Sequence, residues 1–544
     1  MLRRDVFNAV KWTWQQIDGL RYSFVINCLV GFFRVCLSLF FVWVSKHIVD
    51  IATAKSNGDI YFWVGVMVFT ILLQLFIVLQ FSRYREKNRL NISNQLRTNI
   101  YKHVMNSRWN GKEQFHTGDL VNRLEGDIST VTTTINEHIP SILVSSFQLL
   151  MASLFLFSMQ KDLLWILLII MPIALIVSKI YFKTLRRLTS EIRNKDSKIQ
   201  SHLQESLLKR VLLMCMLKVQ RSVDTLSQMQ NELKSLSLQR VNYSSRARLF
   251  VSLGFSTGYC VAFCWGAFGI FNGTVTYGMM TAFLQLVNQV QNPIVNMSRY
   301  IPSLIQTLTS VDRLKEVSNL EQESFDTQCF LDGKVGLKIQ DLCFTYPGNS
   351  KPTINNLTYN FRPGVSTAIV GETGAGKSTL IRLLINILKK DSGSIKLYNE
   401  NTEIEMNPSL RCNFMYVPQG NSLMSGTVRE NLRIGKFDAT DDEMIEALKI
   451  ASADFVMSNP KGLDLQCAEQ GNGLSEGQAQ RIAIARALLQ PGKIMLMDEA
   501  CSALDEITEN KILTNLKQYQ TDKTVIWITH HSAVKQYMNE CLIL

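Results

Sequence analysis

The chain has 544 residues, with 57 Lys and Arg against 45 Asp and Glu, and 47% of its residues are hydrophobic. This length allows two to four domains, and the eleven scattered cysteines follow no zinc or disulfide spacing, which excludes a disulfide scaffold and indicates a reduced, cytosol-facing protein. The basic excess lies mostly beside long apolar runs and therefore favours an anionic membrane surface over nucleic acid as a partner.

The first 300 residues are predicted to lie on and in a membrane. Residues 2–18 place apolar side chains at helical spacing among basic ones, which favours an amphipathic helix at the membrane surface over a buried soluble helix. The apolar run from Phe24 to Val44 has no small-residue cleavage site after it, so we interpret it as a membrane helix and not a signal peptide. Six runs are long enough to span the hydrocarbon core: 23–45, 61–81, 138–159, 163–183, 248–271 and 279–300.

The connections between these spans alternate in length and in charge. The long ones, 82–137 and 184–247, are rich in Lys and Arg, whereas the short ones carry only Lys46, Lys55 and Lys161. The positive-inside rule therefore places the long connections, both termini and the C-terminal half in the cytoplasm. We expect the protein to be an integral protein of the plasma (inner) membrane. The long connections have helix-forming composition, so we expect the membrane helices to continue beyond the bilayer, with turns or contact points at Thr117–Arg123 and Glu205–Leu207.

The sixth span carries five amide side chains close to one helical face: Gln285, Asn288, Gln289, Asn292 and Asn296. Two interpretations remain open. The amides either hydrogen-bond neighbouring membrane helices or form a polar, uncharged lining of a translocation cavity. We expect no proton relay or simple-ion pathway, because the centres of the spans are taken to be poor in ionisable residues.

A change of composition separates this half from the rest. Residues 316–335 are polar and aperiodic and are predicted to be a linker, after a membrane domain over residues 1–315. Residues 336–544 contain no long apolar run and are predicted to form a soluble α/β domain. The fold class is therefore an all-α six-helix transmembrane domain followed by an α/β domain.

A phosphate-binding loop lies early in the second half, between the apolar run 366–370 and a helical run from Leu380. Its residues are Gly371, Glu372, Thr373, Gly374, Ala375, Gly376, Lys377, Ser378 and Thr379. The glycines allow backbone N–H groups to turn inward around phosphate oxygens, and the N-terminus of the following helix adds partial positive charge. Lys377 is predicted to reach the β- and γ-phosphates of ATP, and the Ser378 hydroxyl to bind Mg²⁺.

Partners for this loop follow at the ends of other apolar strands. The strand 494–498 ends in Asp498, predicted to hold Mg²⁺ through water, and Glu499 follows as the group that polarises the attacking water. His530, after the strand 525–529, could contact the γ-phosphate, although a lone histidine at a strand end is usually structural. Tyr346 could stack on the nucleobase or could be an ordinary core residue.

The stretch Leu474, Ser475, Glu476, Gly477, Gln478, followed by Gln480, Arg481 and a helical run, resembles the signature motif of the ATP-binding cassette (ABC) proteins. With it, the whole chain resembles an ABC exporter half-transporter, in which a six-span membrane domain precedes the cassette. By this resemblance Gln419 is the Q-loop residue and a further Mg²⁺ ligand, Glu469, Gln470 and Gly471 form the X-loop, Ser502 to Asp505 form the D-loop, and His530 is the H-switch.

The resemblance also implies a partner subunit and a substrate. Two cassettes would dimerise head to tail, so that ATP bound to one loop is also held by Ser475, Gly477 and Gln478 of the other subunit. A homodimer is favoured and a heterodimer with a different half-transporter is possible. The expected activity is ATP-driven export or flipping of an amphipathic lipid, peptide or drug through the bilayer, with no nucleic acid involved.

Two departures from the family pattern stand out. Position 476 is Glu where the family usually has Gly, which places a carboxylate near the partner's phosphates, and the resemblance implies a further strand and short helix after Leu544. A gated channel or regulator built on the same cassette is the alternative function, but it calls for charged residues lining a pore. A soluble cassette protein is excluded by the six spans.

Overall fold

The computed structural model of the protein describes residues 12, 21–109, 111, 115, 117–323, 327–372, 374–467, 473–519, 522–529, 534 and 537–544. The amphipathic helix predicted over residues 2–18 lies, apart from residue 12, outside this part of the chain. The chain forms two compact units. The first contains Met1–Tyr101 and Val121–Glu316, and the second contains Lys102–Leu120 and Val317–Leu544.

The first unit is helical. Its α-helices are α1 (Arg21–Ala52), α2 (Ile60–Met105, which ends in the second unit), α3 (Thr117–Asn122, which begins there), α4 (Ile128–Thr133), α5 (Ile139–Met159), α6 (Lys161–Leu208), α7 (Arg210–Cys215), α8 (Val219–Phe271) and α9 (Tyr277–Ser318). The long helices extend well past the predicted spans, as expected from the helix-forming composition of the long connections.

Four stretches are long and apolar enough to cross a membrane, counted over the described residues: Arg21–Ala52, Ile60–Met105, Gly118–Met159 and Ser252–Phe271. The other two predicted spans, 163–183 and 279–300, lie within α6 and α9. Of the two alternatives predicted at Thr117–Arg123, the turn is wrong because these residues are helical, whereas Arg123 is a contact point that pairs with Glu316 at 2.9 Å. The second predicted turn falls inside the end of α6, and the chain turns at Lys209 instead.

Two π-helical segments interrupt the helix that leads into α5: Arg123–Asp127 and Thr134–His138. Both carry buried polar side chains that bind other helices of the first unit. Arg123 pairs with Glu316 at 2.9 Å and Asp127 with Arg313 at 3.1 Å. Because buried charges are stable only when they are paired, these contacts hold the end of α9 against the first segment.

The second segment is tied by uncharged groups. Asn136 accepts a hydrogen bond from Asn27 of α1 at 3.1 Å and donates one to the Arg85 carbonyl of α2 at 2.9 Å. The Thr134 and Thr307 hydroxyls lie 2.6 Å apart. The polar side chains of both π segments therefore join the helices around them.

The second unit is α/β. Its strands are β1 (Gly336–Phe344), β2 (Ile354–Phe361), β3 (Ser366–Val370), β4 (Ser392–Tyr398), β5 (Glu403–Glu405), β6 (Phe414–Val417), β7 (Gly426–Thr427), β8 (Gln466–Cys467), β9 (Ile494–Asp498), β10 (Thr524–Ile528) and β11 (Glu540–Ile543). Its helices, numbered on from the first unit, are α10 (Lys377–Leu384), α11 (Val428–Arg433), α12 (Asp441–Ile450), α13 (Phe455–Ser458), α14 (Glu476–Leu488) and α15 (Glu506–Tyr519).

The strands form a parallel sheet, ordered β11-β3-β10-β9-β6, an antiparallel sheet, ordered β2-β1-β4-β5, and the pair β7-β8. The central strands β9 and β10 are buried at every position and are mostly apolar, as expected for strands that are covered on both faces of a parallel sheet. In β9, Ile494 and Leu496 pack toward the antiparallel sheet, whereas Met495 and Met497 pack toward α11, α12, α14 and α15. The carboxyl ends of β3, β6, β9 and β10 consequently meet at one edge.

The segment before α3 is anchored to the cassette. The Trp109 ring lies 5.1 Å beneath the Arg382 guanidinium, a cation–π contact, and Arg108 donates to the Asn386 side chain at 2.7 Å. Arg411 makes two hydrogen bonds to Glu323, which fastens the segment that was predicted to be a linker. Residues 102–109 therefore belong structurally with the C-terminal domain, although they are distant from it in sequence.

Candidate functional site

The predicted phosphate loop connects the end of β3 to the start of α10. Gly376 caps α10 with φ +94°, a left-handed conformation that side chains other than glycine rarely adopt. A β-carbon there would also lie 3.0 Å from the Thr353 carbonyl. Within the loop, the Ala375 N–H donates to the Glu372 carbonyl at 3.1 Å. The turn therefore closes on itself and leaves the α10 N-terminus facing the loop's interior.

Lys377 is the cation of this loop and is only 6% exposed. Its Nζ donates to the carbonyls of Gly371 at 2.8 Å and Glu372 at 2.9 Å. These two contacts curl the loop around the ammonium group. A buried cation at the N-terminus of a helix, held by a glycine-rich loop, has the composition of a polyphosphate site.

Ser378 and Asp498 come together from different elements. The Ser378 hydroxyl donates to Asp498 Oδ1 at 3.1 Å, and Asp498 is 2% exposed. Burial raises the pKa of the Asp498 carboxyl above its ordinary value, and neighbouring Glu499 adds to the shift, while the Ser378 hydrogen bond opposes it. A buried carboxylate beside a hydroxyl is an oxygen donor pair that suits a hard divalent cation.

Glu499 lies beside this pair, in a strained backbone conformation. Its φ is +49°, which is uncommon for a residue other than glycine, and its N–H donates to the Ile528 carbonyl at 3.2 Å. The Gln419 side-chain amide donates to Glu499 Oε2 at 2.6 Å. The carboxyl edge of the sheet therefore brings together the Q-loop glutamine and the two carboxylates that the sequence predicts.

Tyr346 lies beside the loop at the far side of α10. Its hydroxyl is 3.1 Å from Thr379 Oγ1, and its ring packs edge-on against Phe344. A β-carbon on Gly111 would lie 2.4 Å from the Tyr346 ring, so the backbone at Gly111 closely approaches this side chain. Tyr346 is half-buried, which is compatible with both interpretations that the sequence leaves open.

The signature stretch begins α14. Ser475 caps the helix: its hydroxyl accepts from the Gln478 N–H at 3.2 Å, and the Gln478 side chain accepts from the Ser475 N–H at 2.9 Å. Ser475 and Glu476 are exposed, whereas Gly477 is buried. A β-carbon on Gly477 would lie 2.8 Å from the Ala503 carbonyl, so glycine permits close packing of the D-loop.

The remaining predicted residues divide into two groups. Asp505 caps α15 through two hydrogen bonds to Thr508, which lower the pKa of its carboxyl. Thr373 and His530, together with the X-loop residues Glu469, Gln470 and Gly471, lie outside the described residues. The structure therefore brings together Lys377, Ser378, Asp498, Glu499 and Gln419, and leaves Ser475 on a separate exposed helix end.

Two residues beside the site, Tyr416 and Arg382, were missed from the sequence, and a third, Gln480, was quoted with the signature stretch but given no role. Burial and the Asp498 carboxylate raise the pKa of Tyr416, on β6, to about 12. The positive charge of Arg382 partly opposes the upward pKa shifts of both Tyr416 and Asp498. Buried Gln480 donates to Ser502 and accepts from the Ala503 N–H, joining α14 to the D-loop. Their only sequence signal is their position on the elements that carry the recognised motifs.

Two family profiles match the chain. The profile described as the ABC transporter transmembrane region matches residues 24–294, and the profile described as ABC transporter matches residues 354–502. The two matches lie in the order of the helical unit and the α/β unit.

The chain is similar to other proteins over nearly the whole length of both. The chain is 24% identical to the putative multidrug export ATP-binding/permease protein YgaD of Bacillus subtilis, over 97% of this chain and 93% of that protein. It is 27% identical to the multidrug resistance-like ATP-binding protein MdlA of Buchnera aphidicola, over 99% of this chain and 93% of that protein. The fold is similar to that of a bacterial Atm1-family ABC exporter with ATP bound, with a TM-score of 0.80, 21% identity and coverage of 97% and 94%.

Proposed function

Because the chain belongs to the ABC transporter family, as a half-transporter whose transmembrane region precedes its ATP-binding domain, we propose that it exports an amphipathic lipid, peptide or drug by alternating access. It is an ATPase and a multi-pass membrane protein with its ATP-binding domain in the cytoplasm. The observation that carries the proposal is the convergence of Ser378, Asp498, Glu499 and Gln419 at one sheet edge. The names of the relatives, which are multidrug and export proteins, favour an amphipathic substrate.

The phosphate chain of ATP would lie in the loop from Gly371 to Thr379. Backbone N–H groups and the α10 N-terminus would bind its oxygens, and Lys377 would exchange its two carbonyl partners for β- and γ-phosphate oxygens. Mg²⁺ would be held by Ser378, by Asp498 through water and by Gln419, and would neutralise phosphate charge. Mg²⁺ bound to a nucleotide keeps waters and phosphate oxygens as most of its ligands, so one carboxylate and two uncharged oxygen donors would be enough to hold it.

Hydrolysis needs a group that accepts a proton from the attacking water. Glu499 is the candidate, because it directly follows Asp498 at the carboxyl edge and its carboxylate is oriented by Gln419. His530 is proposed as a contact to the γ-phosphate on the motif alone. Tyr346 is proposed as the stacking partner of the adenine ring, on the basis of its position beside the loop.

The half-transporter acts as a dimer, and we infer that two copies of this chain form it. In one chain the Ser475 end of α14 is exposed, and the phosphate loop lies elsewhere on the domain. Ser475, Gly477, Gln478 and Asp505 would then complete the partner's ATP site. ATP would favour the closed, outward-facing state only to the extent that it binds that state more tightly, and hydrolysis would reset it.

The proposed transport activity is tested with the full chain in proteoliposomes. We expect amphipathic lipids, peptides or drugs to stimulate ATP hydrolysis and to cross the bilayer in an ATP-dependent way. The Glu499→Gln variant, which should not hydrolyse ATP at an appreciable rate, gives the background rate at which the probe crosses the bilayer. Equal movement of the probe by this variant and by the natural chain would contradict export driven by hydrolysis.

Glu476 is expected to be tolerated in a homodimer. Its side chain is exposed, so the bonds to the partner's phosphates would come from the Ser475 hydroxyl and from N–H groups around Gly477. Glu476→Gly should therefore change ATPase activity by less than about threefold, under ~1 kcal/mol of barrier. Ser475→Ala should reduce it strongly. Both are measured in one series of ATPase assays.

The control for this series separates capping from phosphate binding. Thr440 caps α12 with the same kind of capping box that Ser475 forms, so Thr440→Ala removes a cap of equal type away from the loop. We expect it to lower stability by about 1 kcal/mol and to leave activity near normal. A silent Ser475→Ala beside a stimulated Glu476→Gly would contradict the homodimer and indicate a different partner subunit.

A further inference from the structure

One charged side chain lies at the centre of the first span. Between Arg21 and Lys46, the only charged residue of α1 is Arg34, and it is exposed. It is about 20 Å along the helix from Arg21, which places it within the hydrocarbon core. It is thus an exception to the expectation that span centres lack ionisable side chains. Charges at this depth are costly and usually face a water-filled cavity or a partner group.

The face of α1 that carries Arg34 is hydrogen-bonded to α9 on one side. Three bonds join the two helices, with α9 donating in each: Gly278 N–H to Asp50 Oδ1 at 3.2 Å, Gln285 Nε2 to Ser45 Oγ at 3.1 Å, and Gln289 Nε2 to Ser38 Oγ. Positions decrease along α1 as they increase along α9, so the helices run antiparallel. Gln285 and Gln289 therefore act as links between helices, the first of the two interpretations of the polar face.

One helical turn further along, the series of hydrogen bonds between α1 and α9 stops. One turn from Ser38 along α1 is Arg34, and about one turn from Gln289 along α9 is Asn292, with Asn296 a further turn on. Arg34 and Asn292 are both exposed, and neither makes a hydrogen bond or ion pair within the described part of the chain. The register brings a guanidinium and carboxamides to the same level of the bundle.

From this register we propose that Arg34 and Asn292, with Asn296, form a binding site for an oxyanion, a phosphate or carboxylate, on the transported amphiphile. A guanidinium offers a planar fork of donors that matches two oxygens of either group, and the carboxamides add uncharged donors. An apolar body would lie along the membrane helices. This site rests on the proposed function and narrows its substrate to amphipathic anions.

The site is tested first with the natural full-length chain in phosphatidylcholine vesicles. The probes are dodecyl phosphate, dodecylphosphocholine and dodecyltrimethylammonium, which share one apolar chain and differ in head-group charge. Below micellar concentrations, we expect dodecyl phosphate to reach half-maximal ATPase stimulation at a concentration about tenfold lower than dodecyltrimethylammonium, which has no oxyanion, with the zwitterionic dodecylphosphocholine between the two. A second measurement omits the soluble probe and compares vesicles with and without the anionic lipid phosphatidylglycerol. ATPase stimulation by phosphatidylglycerol would identify a lipid head group as the ligand, whereas stimulation by dodecyl phosphate alone would identify a free amphiphile. Either result supports the site.

Variants then assign the preference to the proposed side chains. Arg34→Gln should raise the half-stimulating concentration of dodecyl phosphate about tenfold and change that of dodecyltrimethylammonium less than about twofold. Arg34→Lys keeps the charge but loses the planar fork of donors, so it should raise the half-stimulating concentration of dodecyl phosphate by less than Arg34→Gln does. Asn292→Leu should raise this concentration about threefold. Lys55→Gln removes the same charge from the exposed connection after α1 and should leave stimulation by all three probes unchanged.

The outcomes separate this site from the transport proposal itself. If none of the three amphiphiles stimulates hydrolysis or crosses the bilayer, the proposed function fails, and the site with it. Equal stimulation of ATP hydrolysis by all three amphiphiles would overturn the anion site but not the transport proposal. This result is obtained with the natural chain and so does not depend on whether a variant folds. Retention of the full preference for dodecyl phosphate by Arg34→Gln also overturns it.

Discussion

Replacing Glu499 by Gln should lower ATP hydrolysis by about 100-fold or more while leaving ATP binding intact, equivalent to ~2.7 kcal/mol of barrier. The amide has the shape of the carboxylate but cannot accept the proton of the attacking water. It can still receive the hydrogen bond that Gln419 donates at 2.6 Å, so the loop should keep its geometry. Phosphate release measures turnover, and a fluorescent ATP analogue measures binding.

A matched control removes a neighbouring carboxylate that has no place in the proposed chemistry. Glu506 is exposed at the start of α15, and Glu506→Gln should retain activity within about twofold, since exposed charges contribute little. Near-normal turnover of Glu499→Gln would remove Glu499 from the role of base. Its proximity to Asp498 would then be only structural.

Replacing Lys377 by Ala should weaken ATP binding by about 30-fold or more, roughly 2 kcal/mol, because charge-assisted bonds to the phosphates are lost. The same change removes the two bonds from Nζ to the carbonyls of Gly371 and Glu372, so the loop also loses its internal tie. Titration with a fluorescent ATP analogue measures the change in affinity.

Two further variants sharpen this result. Lys389→Ala removes an exposed cation shortly after α10 and should leave ATP affinity unchanged, which separates a specific loss from a general loss of positive charge. Lys377→Arg keeps the charge but is too large for a cradle in which Nζ lies within 2.9 Å of two carbonyls, so it should also bind weakly. Unchanged affinity in Lys377→Ala would refute the phosphate-loop assignment.

The elements that form the nucleotide site were predictable because each of them is encoded by a short, continuous stretch of sequence. An apolar strand, a glycine-rich turn and a helix dictate the loop at Lys377, and a buried parallel strand ending in Asp498 dictates where its carboxylate emerges. The predicted membrane and ATPase fold is confirmed by the two family matches and the fold similarity. Individual residue roles stay predictions.

Contacts that join distant parts of the chain were not predictable. Nothing around Trp109 indicates that it lies beneath Arg382, because stacking between residues so far apart leaves no periodic signal. The amides of α9 illustrate the same limit, since their spacing shows a common face but not which of them have partners. Gln285 and Gln289 bind α1, whereas Asn288 and Asn292 are exposed.

The two π-helical segments before α5 have a consequence for insertions and deletions. A π turn holds one residue more than an α turn, so each segment absorbs an extra residue without rotating the helix on either side. Removing one residue inside Arg123–Asp127 or Thr134–His138 should leave a regular helix whose flanks face as before. Removing one between Ile139 and Gln148 instead turns everything beyond it by about 100°, and carries Gln148 away from Gln289. The helical stretch from α3 to α5 thus tolerates the loss of a residue in the two π segments that precede α5, and not within α5 itself.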